Sequence, residues 1–175
     1  MKKIFKYDFY RQTGEEFKKI NFLIKFFSCY NVRFLYFYRN MDKSIFYKLI
    51  YKKISKKNGL EIFSKNIGQG LYIGHPYCIT VNPNSIIGKN CNLHKGVTIG
   101  QENRGNRMGA PIIGNEVWIG VNSTIVGKIK IGDDVLIAPN SYINCDIPSH
   151  SIVIGNPCKV YNKNDSTEGY INNRV

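Results

Sequence analysis

The stretch Ile113–Ile143, IGNEVWIGVNSTIVGKIKIGDDVLIAPNSYI, places isoleucine at 113, 119, 125, 131, 137 and 143, a step of six that never slips. An α-helix returns an apolar face about every 3.6 residues and an ordinary strand every second residue, so neither explains the period. A triangular parallel β-helix does. Each short strand sends one aliphatic side chain to the axis, a smaller inward residue shares the crowded interior, and Gly, Asn or Asp takes the left-handed backbone at a corner. Small or β-branched Val117, Ser123, Val135 and Ser141 follow four places after the aliphatics, and Gly114-Asn115, Asp133-Asp134 and Pro139-Asn140 stand where corners are expected.

Upstream the series continues through Ile67 and Ile73, then Val81, Ile87, Leu93 and Ile99, with Cys91 and Val97 as smaller inward residues. The coil is expected from about Ile67 to Val160. It is interrupted twice. From Ile73 to Val81 the step is eight, so two extra residues lie within His75–Thr80, and from Ile99 to Ile113 it is fourteen. The second interruption contains Gln101–Pro111 (QENRGNRMGAP), a polar, glycine-rich loop that leaves the coil. Irregular loops on a rigid scaffold are where binding residues concentrate.

Three hexapeptides make one turn of a triangular coil. Counting 73, 81, 87, 93 puts His75, two after Ile73, and His94, one after Leu93, at nearly the same corner on successive turns. Stacked strands lie about 4.8 Å apart, so the two imidazoles are expected to be neighbours. The third histidine, His150, falls in the terminal turn without a motif and reads as structural. Trp118 takes an outward position and reads as a subunit contact rather than a catalytic group.

Before residue 60 the pattern is helical. Phe17, Ile20, Ile24 and Phe27, and later Ile45, Leu49 and Ile54, recur at helical spacing between Gly14 and Lys56, which predicts two or three short amphipathic helices. Thr13 to Glu16 has the spacing of a capping box for the first of them. The chain carries a net charge of +13, and its distribution is uneven: residues 1–58 hold fifteen Lys/Arg against four Asp/Glu, a balance of +11. Such a segment suits anionic lipid, nucleic acid or an anionic substrate, or is simply a solvated lysine-rich surface. Nothing in it reads bases.

Other classes are excluded or set aside. The five cysteines (Cys29, Cys78, Cys91, Cys145, Cys158) are odd in number and lack metal-ligand spacing, so no disulfide framework and no metal site is expected. Reduced thiols and the lack of a secretory pattern in the first residues point to the cytoplasm. The most apolar stretch, Asn21–Tyr38, is interrupted by Lys25, Ser28, Asn31 and Arg33, which rules out a membrane span. Within it, Phe34-Leu35-Tyr36-Phe37-Tyr38 is suited either to lipid contact or, more simply, to packing the helices onto the coil.

The stretches IGQGLYIGHPYCITVNPNSIIGKNCNLHKGVTIG and PIIGNEVWIGVNSTIVGKIKIGDDVLIAPNSYINCDIPSHSIVIGNPCKV resemble the hexapeptide-repeat acyltransferases, specifically the serine O-acetyltransferase-like branch and its small polysaccharide-cluster members. The resemblance implies a mainly β fold: a left-handed parallel β-helix over residues 59–160, with a small basic α-helical segment over 1–58 and a polar C-terminal tail over 161–175, left loose for want of periodicity. It implies that His75, the histidine of LYIGH, is the general base and that Glu61 is the carboxylate holding its imidazole in the useful tautomer. Such chemistry suits the residue, because an alcohol attacking a thioester must lose a proton to a base of near-neutral pKa. It further implies a homotrimer with acetyl-CoA as co-substrate in the groove between subunits. The matching cofactor-binding positions are Gly120, Val121, Ala138, Pro139 and Lys159, with Lys128 and Lys130 near the phosphates.

The sequence departs from the branch in one place. Where the serine enzymes carry Arg-His-Pro at the end of the loop, this chain reads Gly109-Ala110-Pro111. Loss of the arginine removes a bidentate clamp on the amino-acid carboxylate, unless Arg104 or Arg107 replaces it. His94 stands in for the missing second histidine. These departures favour a sugar hydroxyl as acceptor, with serine as the alternative. A non-catalytic coil that docks on a membrane surface through residues 1–58 is the reading from a different class.

Overall fold

All twelve aliphatic positions of the six-residue series are buried, none more than 4% exposed, in a computed structural model that describes residues 2–175. Met1, the first residue of the basic segment, lies outside the described residues. The coil is a parallel β-solenoid of about five turns. Its first face carries β1 (Glu61–Ile62), β3 (Thr80–Val81), β6 (Thr98–Gly100), β9 (Thr124–Val126) and β12 (Tyr142–Ile143). The second carries β4 (Ile86–Ile87), β7 (Ile112–Ile113) and β10 (Lys130–Ile131). The third carries β2 (Tyr72–Gly74), β5 (Asn92–His94), β8 (Val117–Ile119), β11 (Val135–Ile137) and β13 (Ser151–Ile154), with β14 (Lys159–Asn162) antiparallel at its edge.

The register stacks like on like. Ile73, Leu93, Ile119, Ile137 and Val153 form one continuous inward column on the third face, and Ile62, Val81, Ile99, Ile125 and Ile143 form another on the first. The smaller inward residues Cys91, Val97, Val117, Ser123, Val135 and Ser141 are buried as the spacing predicts. At the corners, Asp134 and Asn140 are left-handed as predicted, but at Gly114-Asn115 the left-handed residue is Glu116, one place further on. Asn115 instead accepts the Lys89 amide on its side chain and donates to Asp133, which ties three successive corners together.

Four helices precede the coil: α1 (Lys3–Thr13), α2 (Lys19–Ser28), α3 (Tyr30–Asn40) and α4 (Ile45–Asn58). Helix α1 lies within the segment expected to be α-helical but ahead of the residues whose spacing shows it. Its inward face, Phe5, Asp8, Phe9 and Arg11, mixes charge with aromatics and so hides an apolar period. The Thr13–Glu16 pair is not a capping box for a new helix. It sits at the end of α1, where Gly14 stops the helix at φ 72 and the Thr13 hydroxyl donates back to the Phe9 carbonyl. Phe34, Leu35, Phe37 and Tyr38 are buried, so the aromatic stretch of α3 packs the helices rather than meeting lipid. No helix among the described residues is long and apolar enough to cross a membrane.

These helices cap the raw upper rim of the coil. Asp8 of α1 and Arg39 of α3 form a fully buried pair (2.6 Å), and Arg39 also donates to the Ile67 and Gly68 carbonyls, while the Leu71 amide donates to Asp8. Arg11 donates to the Gly70 carbonyl, the Asn92 side chain and the Asn172 carbonyl. Tyr38 and Tyr51 hydroxyls donate to the Ser64 and Ile62 carbonyls.

The C-terminal tail is ordered, contrary to the expectation that it is loose. Beyond β14, the Ser166 and Thr167 amides and the Thr167 hydroxyl donate to the Asp134 carboxylate, Ile171 is buried, and Arg174 pairs with Glu116 at 2.8 Å. Tyr170 lies edge-on to Trp118, so this outward indole has an aromatic partner within the chain. The tail is held by polar anchors on distant turns, which leave no periodic signature in its own sequence.

Removing one member of a buried ion pair strands the other, at a cost of about 3–5 kcal/mol. Arg39→Ala is therefore expected to lower the denaturant midpoint markedly, and Lys65→Ala, which breaks only an exposed pair with Asp42, to leave it nearly unchanged. Equal effects from the two substitutions would show that the rim pair does not hold the helices to the coil.

Candidate active site

The corner between the third and first faces is built differently from those below it. After β2 ends at Gly74, the chain passes through His75 and Cys78, both left-handed at φ 54 and 52, with the Tyr77 amide donating to the His75 carbonyl. The two extra residues read from the step of eight are accommodated here, and the helices hold them. Asn58 at the end of α4 donates to the Pro76 carbonyl and accepts the Cys78 amide, and Asn31 of α3 donates to the Ile73 carbonyl. His75 itself is exposed.

One turn on, His94 stands opposite Gly74 in the β2–β5 register. A Cβ at position 74 would lie 2.4 Å from Nδ1 of His94, so the imidazole sits in a seat that only glycine leaves open. The ring is flanked by Trp118 (centroids 4.7 Å apart) and Tyr72 (6.3 Å). Its Nε2 is buried and has no hydrogen-bond partner among the described residues. Burial chiefly, and the proximity of His75, push its pKa down to about 4. At neutral pH His94 is thus an uncharged imidazole beside the exposed His75. The register argument brings these two together as expected.

Glu61 is not joined to them. It is exposed on the first face opposite Thr80, its amide donating to the Ile79 carbonyl, and among the described residues no hydrogen bond or ion pair links its carboxylate to His75.

Below the histidines on the same corner lie Gly120, Val121, Ala138 and Pro139. The Gly120 and Ala138 amides are committed to the coil ladder, donating to the Ile137 and Val153 carbonyls, and Pro139 has no N–H to give. Only the Val121 amide of this set makes no backbone hydrogen bond among the described residues. What the small residues provide is room. A groove of about 480 Å³ runs beside them, floored by Trp118, Leu136, Ile152 and Ile154 and walled by Lys163, Asp165 and Tyr170 of the tail. Sequence reasoning missed this wall because it assigned the tail no structure. Lys159 is opposite Ile154 at the edge of the same face.

The other candidates sit on a different edge of the prism. The loop leaves between the first and second faces, pinned at its neck by the reciprocal Glu102–Gly109 backbone bonds (3.0 and 2.9 Å), with a 3₁₀ turn at Gly105–Arg107. Arg104 and Arg107 are exposed there; the Lys128 amide donates to the Arg107 carbonyl, and Lys130 lies on the second face opposite Ile112. One chain therefore does not bring Arg104, Arg107, Lys128 or Lys130 to the histidine corner. His150 occupies the third edge, 2.9 Å from Asp134, and belongs to the anchorage of the tail.

Comparison with known proteins agrees with this architecture. Residues 110–145 match the family described as bacterial transferase hexapeptide (six repeats). The chain is 32% identical over 106 residues to a serine acetyltransferase of Helicobacter pylori, covering 60% of this chain and 62% of that protein. It is 30% identical over 122 residues to serine acetyltransferase 2 of Arabidopsis thaliana, covering 69% of this chain and 38% of the relative. Among solved structures it superposes on soybean serine acetyltransferase (26% identity, TM-score 0.58, 75% of this chain and 54% of that one). A Brucella melitensis serine O-acetyltransferase at 19% identity shares the fold more extensively (TM-score 0.66, 91% and 65%). The chain is thus similar, in sequence and in coil, to hexapeptide-repeat acyltransferases of the serine O-acetyltransferase type. It spans less than two thirds of the length of these curated relatives.

The depressed pKa of His94 has a signed consequence. Between its ordinary value near 6.5 and about 4, the unfolded chain binds a proton at this position and the folded chain does not, so stability is lost as pH falls through that window. His94→Asn is expected to flatten the fall by as much as about 1.4 kcal/mol per pH unit. Parallel stability profiles for the two proteins between pH 6.5 and 4 would mean that His94 titrates normally.

Proposed function

We propose that this chain is an acetyl-CoA-dependent O-acetyltransferase that moves the acetyl group directly to an acceptor hydroxyl, with His75 as general base. The observation that carries the reading is the pairing at one corner of an exposed imidazole with a second, neutral one that packs on Trp118, a residue of the groove floor. The names of the relatives supply the reaction class. In this mechanism the free ring nitrogen of His75 takes the hydroxyl proton as the oxygen attacks the thioester carbonyl, the tetrahedral intermediate collapses, and the departing thiolate of coenzyme A recovers the proton. His94, held uncharged by its burial, adds no competing positive charge beside His75. The groove suits a pantetheine arm through its apolar floor, with the Val121 amide as donor and Lys159 or Lys163 for phosphate.

The site is best completed by another copy of the chain. Loop residues Arg104 and Arg107, with Lys128 and Lys130, occupy a different edge from His75, so they serve the same reaction only if neighbouring protomers mate edge to edge, as in a homotrimer. In this reading residues 1–58 seat the corner, 59–160 carry the chemistry and 161–175 wall the groove, within a cytoplasmic protein. Glu61 would orient His75 only after a rearrangement on binding.

For the acceptor, the relatives shift the balance from a sugar toward serine: those quoted above are serine acetyltransferases, and the soybean enzyme has been solved with serine. The sugar reading, as for surface-polysaccharide biosynthesis, keeps one specific support, Gly109-Ala110 in place of a carboxylate clamp. Thiol release from acetyl-CoA against L-serine and a panel of sugars and nucleotide sugars separates them. His75→Ala is expected to lower the rate about 10²–10⁴-fold while the oligomer persists, and full activity in that variant would refute the base assignment. Arg104→Ala with Arg107→Ala is expected to raise the KM for serine if these side chains replace the clamp, and to leave a sugar substrate nearly unaffected.

A further inference from the structure

Helix α2 has an apolar side that the fold does not use. Its Phe22 and Phe26 pack inward against the aromatic cluster of α1 and α3, yet none of its ten residues is buried, and Ile20, Leu23, Ile24 and Phe27 stand 52–75% exposed at the i, i+3, i+4, i+7 spacing of one stripe. Helix α4, which packs on the same Tyr36 and Phe37 of α3 through Tyr47, repeats the arrangement with Ile45, Phe46 and Leu49 exposed in its first turns. The helical spacing of Ile20, Ile24 and Phe27 is therefore that of an outward stripe, and the inward face is that of Phe22 and Phe26.

The charge around these stripes is one-sided. Residues 1–58 carry +11, and three of their four acids are already spent: Asp8 on Arg39, Glu15 on Lys25 and Asp42 on Lys65. Lys18 and Lys19 at the start of α2, and Lys48, Lys52 and Lys53 on α4, are exposed and form no ion pair among the described residues.

We infer that this face docks on an anionic lipid bilayer, with the α2 stripe and the first turns of α4 in the acyl–headgroup boundary and the lysines among the headgroups. Apolar side chains rimmed by lysine on short helices are what an interfacial surface requires. The alternatives each satisfy half of it. A second copy offers apolar surface but brings its own +11 against the first, whereas a nucleic acid offers anions but no apolar phase for Ile24 and Phe27. A membrane supplies both. The inference stands apart from the acetyl-transfer reading, since it uses none of the groups placed at the histidine corner.

The test is sedimentation of the full-length protein with vesicles of phosphatidylcholine alone or in equal parts with phosphatidylglycerol. A double variant, Ile24→Ser/Phe27→Ser, and a charge variant, Lys52→Glu/Lys53→Glu, are run alongside. All four positions are exposed, so melting temperature and thiol-release activity serve as controls that the fold is kept. Binding is expected only to the anionic vesicles, with each variant weakened about tenfold or more. No binding at low salt would overturn the inference. So would binding that depends on the lysines alone and is matched by a soluble polyanion, or a lipid-free oligomer that falls apart in the serine variant, which would make the stripe a self-contact.

Discussion

A parallel coil repeats its hydrogen bonds from turn to turn, and at its first turn there is no earlier strand to receive them. The upper rim of this coil would leave a row of backbone groups raw, an invitation to pair with another sheet edge. Here the helices satisfy that row with side chains rather than with backbone. Arg39, Arg11 and Asn31 donate to carbonyls of the first turn, Asp8 and Gln12 accept its amides, and two tyrosine hydroxyls take further carbonyls. Burying Asp8 and Arg39 is costly on its own, and the pair is tolerable because each member also bonds to the rim. The same constraint explains why a basic, aromatic segment precedes an aliphatic coil: arginine and tyrosine reach carbonyls that alanine or leucine cannot.

The capped rim in turn holds the histidine corner. The corner that holds His75 is longer than its successors by two residues, and a loop of that kind on the first turn would have no neighbour above it. Asn58 and Asn31 supply one. Directly beneath, Gly74 surrenders its side chain so that the His94 ring can lie across the backbone, and that burial, more than the charge of its neighbour, keeps His94 neutral. Two imidazoles this close would repel if both were protonated. Environment divides them into a buried, neutral imidazole and an exposed one.

Much of this was legible in the sequence, and the parts that were not share a cause. Period six is a local property written into every turn, so the aliphatic columns, the smaller inward residues and the shared corner of His75 and His94 followed from counting. The step of eight located the corner and the step of fourteen the loop. Features held by distant polar contacts left no such mark. The tail is ordered by Asp134, Asn90 and Glu116 on turns far from it in sequence, and α1 by a buried charge that looks like a surface one. Helix α2 misled in the opposite sense. Its stripe has the spacing of a core face, but spacing shows which residues share a side and not whether anything covers it.

The coil also separates what a catalyst needs to bring together. A triangular prism has three edges, and a straight stack keeps any residue on the edge where its turn places it. Histidines on one edge and a polar loop on the next can lengthen or shorten without approaching each other, because every inward position is already filled by an aliphatic column. The remaining freedom lies outside the chain, in how prisms pack. On the first face, which lies between the histidine edge and the loop edge, the outward column runs Glu61, Thr80, Thr98, Thr124 and Tyr142, with three threonines in register at its middle. What the loop then presents is a set of exposed amides and two arginines, with Gln101 hydrogen-bonded to Asn82 and Asn103.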